Sequence, residues 1–150
     1  MNNQQLQDIY KSLINNKNFL GISKLIEKTE IKPNDYLVRL GIKNYLEEQR
    51  AIKTRLFYII KLLEISDANL DANLLQDICM LMLDLGTPNI LEFFAKKTRI
   101  DNQIYINIKG YIQKTYSNYM QEGKLVELTK LIEITTITPN ENLVFESYRT

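Results

Sequence analysis

Residues 24–34 read KLIEKTEIKPN and residues 130–140 read KLIEITTITPN, with eight of the eleven positions identical at an offset of 106. The shared part is Lys-Leu-Ile-Glu, then a threonine, an isoleucine and Pro-Asn. A catalytic centre built twice would repeat chemistry-bearing side chains. Here the repeated side chains are those of an amphipathic helix end, a short connector and a helix start. Pro33 and Pro139 suit the beginning of a following helix, where a missing N–H costs nothing. The leucine–isoleucine pairs are expected to pack, Ile31 and Ile137 to anchor the connectors, and the next helix to open near Asn34 or Asp35.

The same pattern extends through the chain. LIE at 25–27, LLE at 62–64, FFA at 93–95 and LIE at 131–133 each stand late in a short amphipathic segment. Each is followed by a polar connector holding one apolar residue: Ile31, Leu70, Ile100 and Ile137. The copies recur at intervals close to 37, 32 and 37 residues. Periods of this size mark helix-pair repeats, because one pair cannot bury its own apolar face and must stack on a neighbour. Apolar residues recur at the helical spacing of three and four almost everywhere, and no period-two alternation asks for a sheet. The fold expected is all-α: an α-solenoid of about four stacked helix hairpins, right-handed or gently curved, with an N-terminal capping helix over about 5–15. The repeats run roughly 5–34, 35–71, 72–102 and 103–140, with a final half-repeat at 141–150. The stretch from about 103 to 121 reads as one long helix. The apolar run ICMLML at 78–83 reads as a helix covered on more than one side.

Two segments carry a family resemblance. Gly86-Thr-Pro-Asn-Ile-Leu-Glu-Phe-Phe-Ala-Lys-Lys-Thr-Arg-Ile-Asp-Asn102 resembles the second helix and connector of the ankyrin repeat, and Gly123-Lys-Leu-Val-Glu-Leu-Thr-Lys-Leu-Ile-Glu133 repeats it. The segments that begin at Lys17 and Thr54 follow without the glycine. The family's Thr-Pro-Leu-His signature is missing, and EKTEI, EISDA, KKTRI and EITTI replace its Gly-Ala-Asp connector. IKPND (31–35) and ITPNE (137–141) resemble the connector of pentatricopeptide repeats instead, while tetratricopeptide repeats share only the period. The ankyrin resemblance implies a stacked helical scaffold that binds other proteins.

Composition narrows the chemistry. Nineteen basic and eighteen acidic side chains leave a net charge of +1, which argues against a surface built for nucleic acid or an acidic substrate. Histidine is absent, so the commonest general base and metal ligand is missing. The one cysteine, Cys79, excludes an intramolecular disulfide and reads as core. The five glycines stand singly, and none belongs to a phosphate-binding loop. Asp71 is placed to cap the following helix, and Asp84 and Glu92 to lie on solvated helix surface. These observations imply no catalytic residue, no cofactor and no metal, and no small-molecule substrate or membrane partner. With no secretory h-region in MNNQQLQDIYKS, a cytoplasmic location is expected.

Binding residues are sought at edges. Arg50, Lys53 and Arg55 form one basic cluster, and Lys96, Lys97 and Arg99 another; the second is expected to meet an acidic protein partner. Among the nine tyrosines, Tyr105, Tyr116 and Tyr119 recur at helical spacing with Ile108 and Ile112, and Tyr111 stands off that stripe. Most of the stripe reads as core, with Tyr111 or Tyr116 as candidate contacts to the partner. The alternative function is a helical-repeat nucleic-acid binder, read by Asp35, Asn73, Gln103 and Asn142 at the starts of successive first helices. The twin stretches also differ: Lys28, Glu30 and Lys32 become Ile134, Thr136 and Thr138. A functional asymmetry would be written there.

Overall fold

A computed structural model describes residues 1–140, and among them every regular element is a helix. The half-repeat expected at 141–150, Asn142 included, lies outside the described residues. Contacts divide the chain into two compact units, Met1–Leu74 and Leu75–Thr150.

The first unit holds α1 (Asn3–Asn15), α2 (Phe19–Thr29), α3 (Asp35–Glu47) and α4 (Ile52–Ser66). Asn2 opens α1 with a capping box: its side chain accepts from the Gln5 N–H, and Gln5 reaches back to the Asn2 N–H. α3 begins two residues after Pro33, as the sequence predicts. α1 packs on α2 and α3, and α4 packs on α2 and α3. The core is Leu6, Tyr10, Ile14, Ile22, Val38, Ile42, Tyr45, Leu56, Ile59 and Leu62, each at most 3% exposed. α1 and α3 approach closely at Gly41, where a Cβ would stand 2.4 Å from Cγ2 of Ile14. Only a residue without a side chain fits between them.

The second unit begins within the first turn of α5 (Ala72–Leu85), whose start is capped by Asp71 accepting from the Leu74 N–H at 2.9 Å. It continues through α6 (Pro88–Thr98), α7 (Asn102–Asn107), α8 (Lys109–Gln121) and α9 (Leu125–Thr135). α6 packs on α9, α9 on α8, and α8 on α7. Ile78, Cys79 and Met82 of α5 are sealed, as the apolar run implies. The single helix expected over 103–121 is broken. Ile108 leaves helical geometry at φ −110° and ψ 21°, and divides α7 from α8. Ile104, Ile106 and Ile108 are β-branched and Asn107 and Gly110 flank the break, so intrinsic helix preference is weakest there.

Four helices end on a residue in the left-handed conformation: Glu30, Asp67, Arg99 and Thr136. Their spacing is the 37, 32 and 37 of the sequence period, so each copy of the pattern ends in the same backbone device. None of the four is glycine, although glycine adopts this conformation at least cost.

The twin stretches fold alike in atomic detail. In the first unit Tyr10 donates its hydroxyl to the Ile31 carbonyl, and Gln7 grips the connector from both sides. Its Nε2 donates to the Lys32 carbonyl at 3.2 Å, and its Oε1 accepts from the Asn34 N–H at 2.8 Å. In the second unit Tyr116 donates to the Ile137 carbonyl at 2.8 Å, and Gln113 bonds the Thr138 carbonyl at 2.7 Å and the Asn140 N–H at 3.0 Å. Every partner is displaced by the same 106 positions. Thr29 and Thr135 also match: each hydroxyl bonds back to a carbonyl four residues earlier and accepts from the N–H two residues later. The Ile31 side chain, expected as an anchor, is 45% exposed. Its carbonyl does the anchoring, because a connector must place backbone polar groups before it places side chains.

Candidate functional site

The basic edge expected at Lys96, Lys97 and Arg99 sits on the last turn and cap of α6. Pro88 occupies the first turn of that helix, and Pro88, Leu91 and Phe94 form its buried side. Phe93 therefore points away from the core and remains 54% exposed, with the Lys97 ammonium 5.8 Å from its ring centre. Lys96 is open to solvent and reaches Glu92 at 3.6 Å, and Arg99 is exposed at the left-handed cap. Cations in this last turn also suit the negative end of the helix dipole.

Behind this edge α6 meets α9. Glu92, expected on solvated surface, is half-buried and bridges the two helices through Lys130 at 2.7 Å. The Lys130 hydrogen bond holds the Glu92 carboxyl below its ordinary range, and the same bond raises the Lys130 ammonium. The pair is solvent-screened and sets register more than stability. Beside it opens a groove of about 330 Å³. Ala95, Ile100, Tyr105 and Ile134 line its apolar part, with Glu92 and Lys96 among its polar margin. Ile134 matches Lys28 of the first unit, which is exposed. The difference between the twin stretches thus falls on the wall of a cavity.

A second recess, of about 280 Å³, lies where α5 ends against α8 and the start of α9. It is polar. Tyr111 lines it and donates its hydroxyl to the Asp84 carboxylate; burial, then that bond, pushes the Tyr111 phenol up to about 12. Lys124 closes the mouth, 3.1 Å from Glu122 and 6.0 Å from the centre of the Tyr119 ring. Tyr111 is therefore half-buried and tied to α5. Tyr116 is fully buried, its hydroxyl held by Thr135 at 2.9 Å and by the Ile137 carbonyl. It takes the core role read for most of the tyrosine stripe and offers no contact surface.

The other candidates fall elsewhere. Arg55 donates to the carbonyls of Leu46 and Arg50 and so ties the end of α3 to the start of α4, and Arg50 pairs with Glu48 at 3.2 Å. Asp35 and Asn73 stand in the first turns of α3 and α5, and Gln103, in α7, bonds Asn107 at 2.8 Å. Cys79 is sealed, and burial pushes its thiol up to about 12, so it stays protonated and unreactive at neutral pH. Among the described residues no cluster of histidine, cysteine, aspartate and glutamate could hold a metal ion, and no helix is long and apolar enough to cross a membrane. Sequence reasoning missed the Glu92–Lys130 bridge and the Gln7 and Gln113 clamps. The clamps had a signal, since both glutamines keep the same distance from their Pro-Asn pair. No protein-family model, no curated protein and no solved structure matches this chain.

Proposed function

We propose that this chain is a non-catalytic protein-binding module, an ankyrin-like stack of about four helix pairs that takes its partner along α6. The partner's apolar side chain enters the Ala95–Ile100–Ile134 groove, and acidic groups beside it meet Lys96, Lys97 and Arg99. The observation that carries this reading is the pairing of an exposed aromatic ring, Phe93, with a groove that has one apolar wall and with three cations at the end of one short helix. Aromatic and basic groups around a concave apolar spot are the usual makings of an interface centre. The matched swap of Lys28 for Ile134 adds to it, because a cation at that position would place an ammonium in the groove.

The test is affinity capture from native lysate with mass spectrometry, comparing wild type with two variants. One reverses the charges of Lys96, Lys97 and Arg99, and the other is Ile134→Lys. A protein recovered by wild type and lost from both supports the reading. A partner whose recovery both variants leave unchanged would place binding elsewhere on the molecule.

A further inference from the structure

The turn of the first hairpin carries a group of side chains that its copy lacks. Lys17 takes a left-handed φ of 57° where the copy has Gly123, and Phe19 stands where the copy has Leu125. An L-residue holds that conformation only at a cost in backbone strain, which the contacts of the Lys17 side chain offset. Three rings from three helices stand around it: Phe19 of α2, Tyr45 of α3 and Tyr58 of α4. Phe19 lies 6.4 Å from Tyr45 and 6.0 Å from Tyr58, and the two tyrosine rings are 5.6 Å apart. Tyr45 is the floor, 1% exposed and fixed by its hydroxyl, which donates to the Ile14 carbonyl. Tyr58 and Phe19 are half-buried walls. Lys17 Nζ lies over the Tyr45 and Tyr58 rings at 5.8 and 5.3 Å, and 2.6 Å from Oε1 of Glu48. Glu48 Oε2 is buried and accepts no hydrogen bond. Arg50, itself 51% exposed, comes within 3.2 Å of that oxygen and lies over Tyr58 at 5.9 Å.

Ring faces and one carboxylate gathered around a cation make an aromatic cage, the arrangement that recognises methylated ammonium groups. A primary ammonium suits such a place poorly. It brings three N–H donors, and ring faces accept hydrogen bonds only weakly. Methyl groups in place of those hydrogens leave no donor unmet and fill the space between the rings. The Lys17 distances also lie near the outer limit of about 6 Å for attraction to a ring. We propose that Phe19, Tyr45, Tyr58 and Glu48 form a binding site for a quaternary methylammonium group, carried by a choline-type molecule or a trimethylated lysine side chain, and that Lys17 is its tethered occupant. Lys17 and Arg50 swing outward to admit the ligand while the buried floor stays in place. The exchange conserves charge, because the incoming cation takes over the partnership with Glu48. Being tethered, Lys17 competes at an effective concentration of order millimolar, which weakens binding to the wild type. The site rests on α2, α3 and α4 alone and is independent of the α6 groove.

NMR titration with choline, with the blocked amino acid trimethyllysine and with neohexyl alcohol, the uncharged isostere of choline, tests it. Lys17→Gly opens the cage and keeps the turn, since Gly123 makes the same turn in the copy. In this variant ring currents shift the methyl signal of the bound cation upfield, and binding is about tenfold tighter than in the wild type. Whichever cation binds tighter names the source of the group. The isostere binds at least about tenfold more weakly than that cation, because it has the shape without the charge. Tyr58→Leu added to Lys17→Gly removes a wall and abolishes the shift, and Glu48→Gln, which spares every ring, weakens binding. Circular dichroism confirms that each variant remains folded. Lys17→Gly that binds neither cation at millimolar concentration overturns the proposal. So does an isostere that binds as tightly as the cations, or equal affinity in the wild type and Lys17→Gly.

Discussion

The hairpin from Gln7 to Asn34 and the one from Gln113 to Asn140 share a backbone plan and differ in what surrounds it. Both hold their connector by one glutamine and one tyrosine, and both end on a left-handed threonine or glutamate. The first turn of each also matches: Asn18 N–H bonds the Leu13 carbonyl at 2.9 Å, and Lys124 N–H bonds that of Tyr119 at 2.8 Å. At the residue just before, the copies part. Lys17 takes φ 57° where Gly123 takes φ 72°. Lys17 reaches Glu48 at 2.6 Å and lies 5.8 and 5.3 Å from the Tyr45 and Tyr58 ring centres. Backbone hydrogen bonds define the repeat, and side chains that leave the hairpin individualise each copy.

The largest expected difference between the units is alkaline stability. In the second unit burial raises the phenols of Tyr105, Tyr116 and Tyr119, pushes Tyr111 up to about 12 and pushes the Cys79 thiol up to about 12. In the first unit the Tyr45 phenol is raised, chiefly by burial with Glu48 adding to it. Each of these groups binds its proton more tightly folded than unfolded. Their contribution is intact below the unfolded pKa values and is lost as pH climbs from about 9 to about 12. Side-chain methyl signals of Leu75–Asn140 should therefore lose their folded-state dispersion at lower pH than those of Met1–Leu74 in an NMR titration. Simultaneous loss would show that the units unfold as one.

A smaller contrast lies in the clamps. Gln7 is 4% exposed, whereas Gln113 is half-buried and water can replace its bonds. Gln7→Ala strands the Lys32 carbonyl and the Asn34 N–H and should cost about 1–3 kcal/mol in urea unfolding. Gln113→Ala should cost less than half as much. Equal losses would mean that the two connectors are equally cut off from solvent.

The smallest is conformational. Gly123→Ala forces a Cβ into the left-handed region and should lower stability by about 1 kcal/mol, although nothing stands within 4 Å of the added atom. At Lys17 the same geometry already carries that penalty. Lys17→Gly relieves it while losing the Glu48 pair and the two ring contacts, so the net change should lie within about 1 kcal/mol of zero. Lys17→Ala keeps the penalty, loses the contacts, and should be the less stable of the two by thermal melting.

Much of this fold was legible in the sequence, and the reason is local. Helix ends depend on residues within a turn of one another, so the apolar pairs, Pro33 and the Asp71 cap announced the helices and their 37, 32 and 37 spacing. The break at Ile108 was hidden because Ile104, Ile108 and Ile112 keep helical spacing on both sides of it; only the weak helix formers between them hint at a division. The groove was hidden for another reason. Ile134 reads as a substitution in a connector until α6 is laid against α9, and Glu92 meets Lys130 across 38 positions of sequence. Tyr116 was ambiguous because one phenol satisfies either a core or an interface, and the deciding partner, the Ile137 carbonyl, is 21 residues away.

The sealed thiol of Cys79 gives the second unit an internal clock. It is the chain's one cysteine, 0% exposed and protonated at neutral pH. A thiol reagent can reach it only while its surroundings are transiently open. The ratio of its labelling rate to that of an unfolded reference peptide thus reads the opening equilibrium around α5, with no engineered probe. The first unit has no such group, so any labelling is a report on its neighbour alone.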